Sequence, residues 1–149
     1  MVRPFSVRLF SPSDQDQARS LVLEGMREHF GEIDPNYNHD LNDIAAPYGN
    51  ATFLVAETDD QIVGTGCLVV DGEGAARIVR MSTAQAFRRT GVATAILTEL
   101  MAMARARRHT RVWLTTHPAW EDARAFYLAL GFREAGLLSE LSIAFELDL

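Results

Sequence analysis

The feature that most constrains the fold is a strand, turn and helix pattern in the second half of the chain. Residues 78–83 predict a strand, and from Val92 onward apolar residues recur at the spacing of one helix face. The turn between the two, residues 88–94, reads Arg-Arg-Thr-Gly-Val-Ala-Thr. It therefore lies at a helix N-terminus, where the first N–H groups have no partner within the helix.

This turn is predicted to bind an anion. Unpaired N–H groups and the positive end of the helix dipole both favour negative charge. Gly91 and Ala93 carry little or no side chain, so a phosphate can approach the backbone, while Arg88 and Arg89 add charged donors. A pyrophosphate, as found in a dinucleotide or in coenzyme A, fits such a turn.

Two known phosphate motifs are absent. A nucleotide P-loop ends in Gly-Lys-Ser/Thr, and this chain has no lysine; the Rossmann fingerprint needs three glycines, and this turn has Gly91 alone. What remains, Arg88-x-x-Gly91-x-Ala93, resembles the acetyl-CoA signature of the GNAT superfamily of N-acetyltransferases. Residues 123–132 resemble that family's Ala-x-x-Phe/Tyr-Tyr-x-x-x-Gly-Phe segment, and residues 78–83 resemble its central strand.

The resemblance implies where the cosubstrate binds. In that family the central strand carries a bulge and splays from its neighbour, and acetyl-CoA lies in the opening. The resemblance implies that backbone groups near Met81 and Thr83 pair with the pantetheine arm. It also implies that N–H groups of the turn, residues 88–94, hold the pyrophosphate. The implied cofactor-binding residues are Met81, Thr83, Arg88, Arg89, Gly91, Val92, Ala93 and Thr94.

The resemblance also implies catalytic residues. Tyr127 matches the tyrosine that protonates the departing thiolate, and a phenol suits that task because its pKa is close to that of a thiol. Core packing is the alternative role for this ring. His117, at the end of a predicted strand, is expected to relay a proton from the amine, or else to be a plain loop residue before Pro118. Trp120 departs from the family, in which asparagine is common at that position and contacts the cofactor.

Arg77 departs further. Many members carry a glutamate there as base or amine anchor, and a guanidinium that stays protonated is no base. If it faces the cleft, we expect Arg77 to bind a carboxylate or phosphate on the acceptor. The alternative is a surface ion pair with Glu57 or Glu73.

The length of 149 residues, without a linker or repeat, predicts one domain over residues 1–149, and the periodicity predicts that it is of α/β class. Its predicted strands are Phe5–Phe10, Phe53–Glu57, Ile62–Val70, Ile78–Thr83, Arg111–Thr115, Phe132–Ala135 and Ser142–Leu149; its helices begin near Ser13, Val92 and Trp120, with a short one over 40–46. This order predicts a mixed α/β sheet with helices on both faces. It resembles the order of the GNAT fold, and the resemblance implies a GNAT-like, mostly antiparallel central sheet.

Composition excludes several partners. A net charge of −6 argues against nucleic acid, and no apolar run approaches the length that spans a bilayer. The sequence contains no cluster of His and Cys residues, so it predicts no metal site. Cys67 is the one cysteine, so an internal disulfide is impossible and a cytoplasmic location is expected.

The predicted function is acetyl transfer from acetyl-CoA to a primary amine of a small molecule, such as an amino acid or related anionic amine. The alternatives are a non-catalytic acyl-CoA-binding or sensing domain, or an acetyltransferase acting on a protein N-terminus or aminoacyl-tRNA. The resemblance makes a homodimer plausible.

Overall fold

A computed structural model describes residues 4–34 and 37–149. The first half contains β1 (Ser6–Leu9), α1 (Gln15–Phe30), β2 (Thr52–Thr58), β3 (Gln61–Val70) and β4 (Ala75–Thr83). The second half contains α2 (Val92–Ala106), β5 (Arg111–Thr116), α3 (Glu121–Ala129), β6 (Arg133–Ser139) and β7 (Ser142–Asp148). Over this described part of the chain, no helix is both long enough and apolar enough to cross a membrane.

The strands form one mixed sheet in the order β1-β2-β3-β4-β5-β7-β6. Neighbouring strands are antiparallel except β4 and β5, which are parallel and pair over Ala75–Arg77 and Arg111–Trp113. The predicted mixed, mostly antiparallel sheet is therefore confirmed. Beyond Arg77 the two parallel strands separate, and this separation creates the opening described below.

Helices cover both faces of the sheet. One buried cluster joins α2 and α3 to the sheet and contains Ile96, Leu100 and Phe145. The other joins α1 and the segment after it to the opposite face and contains Val22 and Leu41. Burial of these apolar side chains is the main stabilising contribution to the layered arrangement.

Two glycines of β3 let α2 lie close to the sheet. A Cβ on Gly64 would stand 2.5 Å from Cγ1 of Val92, and one on Gly66 would stand 2.6 Å from Cγ2 of Ile96. Such distances are sterically forbidden, so any larger residue would push the helix away. The glycines thus fix the N-terminus of α2 against β3, next to the outer half of β4.

Some predicted boundaries were wrong. The short helix expected over 40–46 is a 3-10 turn at His39–Asn42, and a second 3-10 turn at Pro12–Asp14 precedes α1. Asp14 accepts the N–H of Ser11 at 2.8 Å, so the capping begins two residues before Ser13. Strand β6 extends beyond Ala135 to Ser139; all its residues are exposed, which removes the alternation that reveals a half-buried strand.

Candidate active site

The opening between β4 and β5 is a cavity of about 1040 Å³. One wall is the outer half of β4, from Ile78 to Thr83, and the opposite wall is the end of β5, from Leu114 to Thr116, followed by His117. The turn before α2 closes one end, and α3 and α1 contribute further side chains. Of the predicted site residues, the cavity brings together Met81, Thr83, Arg88, Arg89, Gly91, Val92, Ala93, Thr94, His117 and Tyr127.

A β-bulge interrupts β4 at the cavity. Val79 pairs with Cys67 and Ser82 with Thr65, so Arg80 and Met81 both stand opposite the single residue between those partners. Arg80 takes a left-handed conformation (φ 56), and its carbonyl accepts the Thr65 hydroxyl at 2.8 Å. In the described structure, β5 does not pair with this outer half of β4. The strand edge therefore presents backbone donors and acceptors to the opening.

The turn before α2 has the geometry of an anion site. Gly91 caps the helix in the left-handed region (φ 93), and the first helical bond joins the N–H of Ala95 to the carbonyl of Gly91 at 2.9 Å. The N–H groups of Val92, Ala93 and Thr94 precede that bond and point out of the helix end. A Cβ built on Gly91 meets no protein atom within 4 Å, so the space in front of the turn is open.

Arg88, the arginine of the motif, is ion-paired across to α1. Its Nη2 donates to Oε2 of Glu28 at 2.5 Å, and the two side chains are 42% and 31% exposed. A phosphate that binds to the turn therefore competes with a carboxylate for this guanidinium. Because the pair is partly solvated, the competition is weak.

Tyr127 lies on α3 with its ring buried at the cavity wall. The side chains of Phe126, Phe132 and Phe145 surround it, with ring centroids 5.2 to 5.9 Å away. This burial raises the pKa of the phenol to about 12. The group thus stays protonated at neutral pH, but burial makes it a weaker acid than an ordinary phenol, so the close match to the pKa of a thiol expected from the sequence does not hold in this environment.

His117 lies at the rim and is held in one orientation. The N–H of Ala119 donates to Nδ1 at 3.0 Å, and the imidazole stacks on Trp120 with centroids 5.5 Å apart. An Nδ1 that accepts this bond places the proton of the neutral ring on Nε2. To act as a base through Nε2, the neutral ring would need the other tautomer, in which the proton is on Nδ1.

Arg77 is not brought together with the other predicted residues. Its guanidinium lies 4.6 Å from the ring centroid of Trp113, and Nη2 contacts Oγ1 of Thr115 at 3.3 Å. Arg77 precedes the point where β4 and β5 separate, so β5 covers it, and it does not line the cavity. This position does not support contact with the acceptor. Among the described residues, no ion pair joins Arg77 to Glu57 or Glu73 either, and Glu57 pairs with Arg8.

Sequence reasoning missed an ion-pair cluster around Arg80, on the side of the cavity that α1 contributes. Arg80 donates to both carboxylate oxygens of Asp40, and Tyr48 donates to the same carboxylate at 2.6 Å. Burial would raise the pKa of Asp40, but the bonds from Arg80 and Tyr48 outweigh it and lower the pKa. Burial and the bond to Asp40 raise the pKa of Tyr48 to about 12. An arginine within an apolar strand pattern was the available signal.

Among the described residues, no group of three or more His, Cys, Asp or Glu side chains is arranged to hold a metal ion. The cavity joins an anion-favouring turn, an open strand edge and a buried phenol. Such an arrangement can accommodate a ligand that carries phosphates at one end.

The chain belongs to the acetyltransferase (GNAT) family, whose model matches residues 19–132. Among curated relatives, the probable N-acetyltransferase family 8 member 5 of Mus musculus is 33% identical over 111 residues, covering 70% of this chain and 49% of that protein. The chain thus spans about half the length of the curated relatives it matches.

Solved structures share the fold across the whole domain. An acetyltransferase of the GNAT family from Staphylococcus aureus Mu50 aligns with a TM-score of 0.89 at 19% identity, covering 98% of this chain and 99% of that one. The PaiA N-acetyltransferase of Thermoplasma acidophilum, in complex with coenzyme A, aligns at 0.84 and 17% identity with the same coverage. At these identities the likeness establishes the fold.

Proposed function

We propose that the protein transfers an acetyl group from acetyl-CoA to a primary amine of a small molecule, directly and within a ternary complex. The observation that carries this proposal is the continuity of one cavity, which runs from the anion-favouring turn to the buried phenol of Tyr127. A cosubstrate with phosphates at one end and a thioester at the other matches those two ends. Membership of the acetyltransferase family supports the same reaction.

The binding roles follow from the local geometry. N–H groups from Gly91 to Thr94, with Arg88 and Arg89, are proposed to hold the pyrophosphate. The open edge of β4 at Met81 and Thr83 is proposed to pair with the pantetheine arm in the way that an added strand pairs with a sheet edge. This places the thioester near the bulge.

The reaction exchanges one bond for another. The amine nitrogen attacks the thioester carbonyl carbon, the new C–N bond forms, and the C–S bond breaks. Nitrogen loses a proton and sulfur gains one, which Tyr127 is proposed to donate. Holding both reactants in one cavity contributes about 7–11 kcal/mol in favourable cases, so positioning is the main contribution.

The proton of the amine needs a receiver. Asp40 is held by Arg80 and Tyr48, so it is a poor base. The relay proposed for His117 requires the bond from Ala119 to open, because Nε2 carries the proton in the observed arrangement. Water is the receiver that needs no rearrangement.

The test measures thiol release from acetyl-CoA over a panel of amines, with calorimetry of acetyl-CoA binding in parallel. Cys67 is buried and its pKa is raised to about 12 by burial, so the assay reports released coenzyme A with little background. Transfer to at least one amine is expected. Binding without transfer to any amine would favour the sensing function, and absence of binding would refute the proposal.

The homodimer and the cytoplasmic location are proposals as well. The exposed apolar side chains of Leu137, Leu138 and Leu141, on the edge strand β6 and the turn after it, are consistent with a self-associating surface. Light scattering after gel filtration measures the mass. The single buried cysteine is compatible with a reducing compartment.

A further inference from the structure

Arg80 has an unusual position in the cavity. It lies at the bulge of β4 in a left-handed conformation (φ 56) that is unfavourable for an L residue, and its side chain is 19% exposed. The bulge turns this side chain toward α1, so that it lines the cavity on the side that α1 contributes. Holding a charged side chain in this strained conformation costs free energy, and such strain is typical of residues with a functional role.

The hydrogen bonds of the guanidinium leave one arm available. Nε and Nη2 donate to the two carboxylate oxygens of Asp40 at 2.9 and 2.6 Å, and Nη2 also donates to Oδ1 of Asn38 at 3.2 Å. Among the described residues, Nη1 contacts Sδ of Met26 at 3.8 Å, and a thioether is a weak acceptor. Nη1 therefore has donor capacity on the wall of the cavity.

Charge decides which acceptor atom fits this arm. Asp40 already balances the charge of Arg80, and a second carboxylate on the same guanidinium would lie roughly 5 Å from the first, where their mutual repulsion offsets most of the attraction to Arg80 at an effective dielectric constant of about 20. A neutral carbonyl oxygen accepts the same hydrogen bond without that repulsion. The pair thus discriminates against an anion while it still offers a strong donor.

We propose that Arg80, oriented by Asp40, binds the acceptor by donating Nη1–H to a neutral carbonyl oxygen next to the reacting amine. The acceptors are then primary amines that carry an amide or ester carbonyl beside the amine, and not free amino acids. This inference rests on the proposed function, and it replaces the anionic acceptor expected from Arg77.

The experiment compares three acceptors that share one side chain: L-phenylalaninamide, L-phenylalanine and 2-phenylethylamine. Parallel sets built on alanine and glutamate cover other side chains. Because an amide beside the amine lowers the basicity of the amine, kcat/KM is calculated on the concentration of neutral amine, obtained from pH profiles. On that basis the amide is expected to have the highest kcat/KM, by roughly 10- to 100-fold, which is the effect of one hydrogen bond to a charged group. Equal rates for the amide and for phenylethylamine would overturn the inference while leaving acetyl transfer established.

Arg80→Lys keeps the positive charge opposite Asp40 but replaces the planar guanidinium, with its several N–H donors, by a single ammonium group. We expect it to lower kcat/KM for the amide by roughly 10-fold or more and to change the rate for phenylethylamine by less than about twofold. The matched control is Arg133→Gln, because Arg133 forms surface ion pairs with Glu146 and Asp148 and does not line the cavity. A loss confined to Arg77→Gln would return the acceptor contact to Arg77 and contradict the inference.

Asp40→Asn tests the charge argument and does not depend on loss of activity. It removes the balancing charge while an amide oxygen still accepts from Tyr48, so Arg80 becomes able to bind an anion. The ratio of kcat/KM for phenylalanine to that for phenylalaninamide is expected to rise roughly 10-fold. An unchanged ratio in a variant that melts as a folded protein would refute the discrimination, and a wild type that acetylates no panel amine would refute the proposed function and this inference together.

Discussion

Replacing Gly91 tests the anion site most directly. At φ 93 any residue with a Cβ is strained, at a cost of about 1–2 kcal/mol, which corresponds to a lower melting temperature by roughly 2–8 °C in a domain of this size. A new side chain meets no protein atom within 4 Å, so packing adds no further penalty. The side chain of Gly91→Trp instead fills the space before the helix N-terminus. Loss of two charge-assisted phosphate bonds is expected to weaken acetyl-CoA binding by roughly 10²–10⁴-fold.

Gly72→Trp is the matched control for this change. Gly72 has φ 73, a Cβ there also meets open space, and the residue does not line the cavity. Both variants should therefore melt at similar temperatures, and only Gly91→Trp should lose affinity in calorimetry. If Gly91→Trp binds acetyl-CoA within about threefold of the wild type, which is less than one hydrogen bond, the turn is not the phosphate site.

Three further predictions concern Tyr127 and Glu28. Tyr127→Phe should lower kcat by roughly 10²–10⁴-fold with little change in acetyl-CoA affinity, and an unchanged kcat in steady-state kinetics would exclude the phenol as the acid. Because burial raises the pKa of Tyr127 to about 12 from an ordinary value near 10, its protonated form stabilises the fold below pH 10, and that stability is lost as the pH rises toward 12. The free energy of unfolding, measured with urea, should therefore decline less steeply with pH in this range for Tyr127→Phe than for the wild type. Parallel curves for the two proteins would contradict the raised pKa. Glu28→Gln should tighten acetyl-CoA binding by up to about fivefold by releasing Arg88, whereas Glu24→Gln, the same charge change one turn away on α1, should not; equal effects in calorimetry would indicate only net charge.

Local pattern was sufficient to predict the turn before α2. Its proposed ligand contacts are backbone N–H groups at a helix end, and the helix is visible in the spacing of its apolar residues from Val92 onward. Arg88 and Gly91 lie within four residues of that end, so no distant contact is needed to place them. Tyr127 was located in the same way, from a motif on one short helix.

The ion pair between Arg80 and Asp40 could not be predicted in this manner. Arg80 and Asp40 are 40 positions apart, and the segment that contains Asp40 is irregular, without the periodicity that reveals which way a side chain points. The tautomer of His117 depended similarly on a local bond from Ala119 that no residue pattern specifies.

The sequence by itself determined the elements, their order and the turn before α2, because apolar spacing and a glycine at a helix end act over short distances. Only the tertiary structure decided which arginine of β4 faces the cavity. Strict alternation would place Arg80 on the face of Ile78, toward α2, but the bulge inserts one extra residue and turns Arg80 to the face of α1. That bulge exists only in the pairing of β4 with β3, which is a long-range contact that alternation within one strand cannot encode.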